Sequence, residues 1–297
     1  MPINLTQCWD LLKKVTRAWL DDYVPSMGAA LAYYTLFSLA PLLLIVISVA
    51  GLVFGQEAAR GEIASQLHTL MGEPGASAVQ ALLASMDKPA EGTAATLLGV
   101  LLLLVGATTV FGELQDALDR IWRVPAQNQS NGWIALLRTR VLSFGMILAI
   151  GFLLMVSLVL SAALTTMANR WSPFFGDWLV IASAVNGVVG FFLVATLFAL
   201  IYKVMPRVHV PWSDVWIGAV FTSLLFALGK SLISLYIGRS GIVSGFGAAG
   251  SLVVVLLWVY YSAQIFLIGA EFTWVYANVF GSRRMPGAAD STLNRVK

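Results

Sequence analysis

The segment ATLLGVLLLLVGATTV, residues 95–110, carries no charge at all. Crossing the hydrocarbon of a bilayer takes roughly 20 apolar residues in helical form. Five more stretches have the same character, so six spans are expected at about 28–54, 95–113, 141–166, 178–204, 213–237 and 250–278. Backbone N–H and C=O groups find no water in hydrocarbon and must pair within their own segment. The fold class that follows is all-α, a polytopic membrane protein. Hydrophobic residues make up 59% and charged residues 11% of the 297-residue chain. A soluble domain carries about 25% charged residues.

Loop charge sets the direction of the spans. With the N-terminus inside, the inner segments collect 13 of the 18 basic residues, among them Lys13, Lys14, Arg17, Arg138, Arg140, Arg283 and Arg284. The outer segments hold Arg60, Lys88, Arg170 and Arg239, and Lys230 lies within a span. Both termini are therefore expected in the cytoplasm. Two segments flank the six-helix domain at 28–280, which includes an outer helical hairpin. Residues 1–27 form a cytoplasmic segment in which Trp9, Leu12, Val15 and Trp19 recur near helical spacing with basic residues between them. That pattern suits an amphipathic helix on the inner leaflet, or a short helix packed on the bundle. Residues 55–94 read as an outer helical hairpin broken at GEPGAS, and 281–297 as a disordered tail. The N-terminus lacks the apolar core and cleavage site of a signal peptide.

The chemistry of a site is sparse. Cys8 is the sole cysteine and His68 and His209 fall on opposite faces, so no metal site or cofactor is expected. A net charge of +3 points to no nucleic-acid partner. GKS at 229–231 lacks the upstream glycine of a phosphate loop. An enzyme is not expected.

What remains is charge near or inside the membrane. In FGELQDALDRIWRV, residues 111–124, helical spacing pairs Asp116 with Arg120 and Asp119 with Arg123, each pair contributing about 0.2–0.5 kcal/mol in water. Glu113 is left over. An inner-facing cluster of Glu113, Asp116, Arg120, Arg140 and Glu271, with Tyr34 contributing, is one expectation; charges snorkelling separately to headgroups is its rival. Lys230 lies roughly 10 Å deep in the fifth span. A lysine there costs about 2.5–3.5 kcal/mol on insertion scales. An outward cavity lined by Lys230, Asn186, Ser231 and Gln264, able to hold an anion or anionic headgroup, is the second expectation. Pro41 is expected to kink the first span. The glycine-rich GRSGIVSGFGAAG at 238–250 reads as a tight irregular loop or a hinge. Gly28 with Ala32 and Gly218 with Thr222 read as packing positions.

Four motifs occur in order: GAALAYYTLFSLAPLLLI, LQDALDRIW, YKVMPRVHVPWSDVWIGA and LLWVYYSAQIFLIGAEF. On these the chain resembles the YihY/virulence-factor BrkB family of bacterial inner-membrane proteins. The resemblance implies six transmembrane helices, cytoplasmic termini and the inner membrane. It brings no settled activity; members once carried the label ribonuclease BN. Two functions of different class stand open. One is a transporter or exporter of an ion, small anion or anionic lipid or amphiphile; the other is an envelope scaffold that translocates nothing. A membrane-tethered ribonuclease is a weak third, since the acids at 113–119 are interleaved with arginines. The bilayer is the partner expected first, and self-association into a homo-oligomer is compatible with the Gly- and Trp-rich surfaces.

Overall fold

In the computed structural model the described residues are 5–86, 109–125, 178–241 and 249–284, with isolated positions at 145, 245 and 246. Their regular structure is helical, joined by short turns and loops, with no strand among the described residues. The helices are α1 (Leu5–Asp21), α2 (Val24–Phe54), α3 (Gln56–Met86), α4 (109–121), α5 (Trp178–Val204), α6 (Trp212–Arg239) and α7 (Gly250–Val279). Three are long and apolar enough to cross a bilayer: α5 over Gly187–Val204, and α6 and α7 over their full lengths. These match the spans expected at 178–204, 213–237 and 250–278. The span expected at 28–54 falls within α2, which is helical on both sides of Pro41. The span at 141–166, most of that at 95–113, and the tail beyond 284 lie outside the described residues, as does Arg140.

Sequence composition explains which faces turn outward. Leu224, Leu228, Leu232 and Leu235 on α6 are each at least half exposed, while the small residues Ala219, Thr222 and Ser223 of the same helix are buried. In water this would be inverted. In lipid, tails are as apolar as leucine, so helices associate through small residues that let backbones approach.

The chain falls into two compact units, one drawn from residues 1–22, 118–224 and 268–297, the other from 23–117 and 225–267. In the second unit α3 is broken at Gly72 (φ 71), the first residue of GEPGAS, into two helical limbs. Met71, Ala78 and Val79 pack with Ile233 and Ile237 of α6 and Val254 and Val255 of α7. The Ser234 hydroxyl donates to the Met71 carbonyl at 3.0 Å, holding the break in place.

In the first unit, α1 is packed rather than lying free. Leu11, Val15 and Ala18, at i, i+4 and i+7, are buried against Phe272 and Val275 of α7. Of the residues expected to form its apolar side, Val15 is buried, but Trp9 (61% exposed) and Leu12 face outward beside exposed Lys13, Lys14 and Arg17. The buried stripe is thus displaced from the expected one, and two faces of α1 are apolar. A reciprocal contact joins α6 and α7 in the same unit. Gly218 and Thr222 on α6 are four apart, as are Gly269 and Thr273 on α7. A Cβ at Gly218 would collide with the Thr273 hydroxyl, and one at Gly269 with the hydroxyl of Thr222. Each threonine in turn donates to the carbonyl of the glycine one turn before it, at 2.7 Å in both cases. Gly218 and Thr222 are packing positions, as their spacing suggested.

Candidate functional site

The first unit gathers the polar ends of several helices. LQDALDRIWRVP ends α4 abruptly because Pro125 cannot continue a helix. The Val124 N–H closes on the Asp119 carbonyl at 2.9 Å and Arg123 takes the left-handed conformation (φ 52). This is the glycine position of a Schellman turn, and a side chain there costs about 1–2 kcal/mol. The consequence is directional: Arg123 leaves the α4 surface and lies over the Trp274 ring of α7, its guanidinium carbon 4.2 Å from the centroid.

Asp119 is therefore not the partner of Arg123. It is 2% exposed; its Oδ1 accepts the Arg207 backbone N–H at 2.7 Å and its Oδ2 lies 3.1 Å from the Arg207 guanidinium. The loop that carries Arg207 is shaped from within. Lys203 donates to the Val210 carbonyl, and its ammonium lies over the Trp212 ring. Asp214, opening α6, accepts both the Ser282 hydroxyl at 2.6 Å and the Ser282 N–H at 3.2 Å. Arg283 lies over Trp122 and donates to the His209 carbonyl at 3.2 Å. Two of the motifs quoted above, LQDALDRIW and YKVMPRVHVPWSDVWIGA, are thus interlocked with the end of α7 and the residues after it. Replacing Asp119 by Asn leaves the Arg207 guanidinium facing an uncharged amide, and breaking a buried pair costs about 3 kcal/mol. The expected result is a lowered thermal midpoint in detergent, with Arg207→Met added to the Asp119→Asn variant recovering part of it. Equal losses from the single variants that simply add would break the pairing.

At the centre of this unit sits Glu271 on α7. It is 0% exposed, eight residues, or about 12 Å, short of the end of the helix at Val279. Neither of its carboxyl oxygens has a hydrogen-bond partner among the described residues, and the same holds for Asp22 Oδ2. Two charged groups act on Glu271, the carboxyl of Asp22 repelling a negative charge there and the guanidinium of Arg123 attracting it. Asp22 is placed by the end of α1, its N–H donating to the Ala18 carbonyl at 2.9 Å, and the next residue, Tyr23, is left-handed (φ 56). Residues with side chains in the left-handed region are costly and gather at functional sites. Here the two non-glycine residues with positive φ among those described are Arg123 itself and the neighbour of Asp22.

The other residues singled out from the sequence are placed as follows. Asp116 and Arg120 are exposed on α4, Glu113 is half-buried on the same helix, and Tyr34 is half-buried edge-on to Tyr33, with ring centroids 5.5 Å apart. Lys230 is half-buried on α6 and Ser231 beside it is exposed. Gln264 does not turn toward a cavity with them. It is 9% exposed, and its amide lies 3.4 Å from the carbonyls of both Val24 and Pro25, over Gly28. The side chain of Asn186 lies outside the described residues. Of the expected site residues, Glu271 alone is fully buried with its functional atoms unsatisfied. Asp22 was passed over because it lies in DDYVP, outside every apolar run. The one signal that could have found it is the pair of acids Asp21 and Asp22 just before the helix that opens with Val24 and Pro25.

Comparison with known proteins agrees with the motifs. The family model described as virulence factor BrkB matches residues 15–292. A UPF0761 membrane protein of Pseudomonas aeruginosa strain LESB58 is 30% identical over 254 residues, covering 85% of this chain and 59% of its own length. One from Tolumonas auensis is 26% identical over 277 residues, covering 86% of this chain and 82% of its own. One from Azotobacter vinelandii is 27% identical over 279 residues, covering 93% and 64%. The chain thus spans about three fifths of the length of the Pseudomonas relative. No solved structure matches it.

Proposed function

This chain belongs to the virulence factor BrkB family of membrane proteins, and from that premise we propose that it is a transport protein of the bacterial inner membrane. In this reading six helices span the bilayer with both termini in the cytoplasm, as the loop charges favour. The cargo is an ion, a small anion or an anionic lipid-like amphiphile, and no catalytic step is assigned to the chain. The observation that carries the proposal is Glu271. An ionisable side chain in a membrane helix is expensive and is retained where it faces a partner, a pathway or a proton relay. A carboxyl used only to clamp helices would have its oxygens satisfied; those of Glu271 have no hydrogen-bond donor among the described residues. The exposed basic and aromatic face of α1, with Trp9, Lys13 and Lys14, suits contact with anionic headgroups beside the same unit.

A scaffold is the second reading, favoured by the hairpin α3, whose two limbs are locked to α6 and α7 and would give a partner a fixed surface. Reconstitution separates the two. Vesicles holding the full chain are expected to show anion flux or lipid flip-flop above empty vesicles. A folded, correctly inserted protein that moves neither leaves the scaffold.

A further inference from the structure

We propose that Asp22 and Glu271 form a two-carboxyl proton relay with Arg123 as its fixed counter-charge. The geometry has three parts. Glu271 is shut off from solvent, Asp22 is half-buried with its Oδ2 enclosed, and neither that atom nor the Glu271 oxygens have donors among the described residues. Ala18, one turn before Asp22, shares a buried cluster with Phe272, next to Glu271, and Arg123 lies over Trp274, one turn beyond Glu271. Two carboxylates that bear on each other cannot both hold a negative charge cheaply when a single guanidinium serves them. One proton between them removes the repulsion and supplies the missing donor.

Other charged groups of this unit have partners of their own. On α4, Asp119 is engaged with Arg207; on α6, Asp214 is engaged with Ser282; on α5, Lys203 is engaged with the Val210 carbonyl. The transfer itself is simple. The Glu271 hydroxyl gives its proton to Asp22 Oδ2, leaving a Glu271 carboxylate facing Arg123, and Asp22 then releases the proton to water. Arg123 is held in register by the Trp274 ring and by its own left-handed backbone, so the counter-charge does not follow the proton. The role of this relay as a coupling site rests on the transport reading; its existence as a proton site does not.

Infrared spectroscopy of the full chain in lipid vesicles, in water and in deuterium oxide, tests it. At neutral pH a protonated-carboxyl stretch is expected in the unmodified protein and is expected to vanish in Glu271→Gln. Asp22→Asn is expected to keep the band but slow its hydrogen–deuterium exchange by about 10²-fold, the scale of a lost proton-transfer group. Glu271→Asp, which keeps a carboxyl, is expected to restore a band and shows that the Gln variant lost a proton site and not its fold. No such band in the unmodified protein, a band that survives Glu271→Gln, or unchanged exchange in Asp22→Asn overturns the relay. A relay present in a protein that moves no cargo in vesicles would defeat the transport reading alone, and flux without the band would defeat the relay alone.

Discussion

Gly269→Ala is expected to cost the protein about 3 kcal/mol, at the upper end for overpacking a tight contact by one carbon. The cause is local and two-sided. An added Cβ lands on the Thr222 hydroxyl and within 2.5 Å of the Tyr202 hydroxyl, which themselves lie 3.0 Å apart in a buried hydrogen bond. Backbone on α7 cannot recede, because Thr273 one turn on is seated against Gly218 of α6 in the same manner. Either the helices separate or the Tyr202–Thr222 bond breaks, and each forfeits packing contacts that small residues exist to permit. A detergent unfolding curve reads the loss. Thr222→Gly placed in the Gly269→Ala protein is expected to recover part of it, whereas the same change in the native protein is expected to destabilise. Such sign reversal marks two residues in contact. A Gly269→Ala protein as stable as the native one would mean that α6 and α7 do not approach here.

Glu271→Gln is expected to abolish transport, a fall of about 10²-fold or more, with little change in folding. Gln has nearly the shape of Glu, and burial of a neutral amide is cheaper than burial of a carboxylate. Stability is therefore expected to stay level or rise, because an amide at 271 removes the repulsion between two acids and supplies the donor that the buried carboxyl oxygens lack. Loss of function with gain of stability separates a working carboxyl from a clamping one. If Glu271 merely fastened α7 to Asp22 and Arg123, the two quantities would fall together. Flux measured in vesicles beside unfolding in detergent decides it, and Asp119→Asn supplies the contrast: a clamping acid whose loss is expected to lower stability first.

The membrane fold was legible because hydrocarbon imposes length and apolarity on each span, and α5, α6 and α7 lie where those two properties put them. The break in α3 was legible from Gly72 and Pro74, which act on the chain locally. The site was legible only in part. Glu271 stands out in any reading as an acid in an apolar helix, but its neighbours come from chain positions 148 and 249 residues away at Arg123 and Asp22. Helical spacing rules reach four residues and favoured Arg123 as the partner of Asp119. They failed because Pro125 ends the helix and the resulting left-handed turn swings Arg123 onto Trp274. Gln264 failed for a related reason. Depth along a helix says how far a side chain lies from the surface and nothing of its direction, and the amide points to the carbonyls opening α2. On α1 the apolar residues fill two faces, so periodicity alone did not choose the Leu11, Val15 and Ala18 stripe over the one containing Trp9 and Leu12.

The most direct measurement is thiol labelling at position 271. In a Cys8→Ser background Glu271→Cys carries the sole thiol of the chain. A small water-soluble thiol reagent, applied to sealed vesicles, is expected to modify it in the folded protein from the side that carries α1, because a transport site must open to water in part of its cycle. A thiol at 271 that stays unmodified from both sides until the protein is unfolded would make Glu271 a sealed core residue and contradict the transport reading.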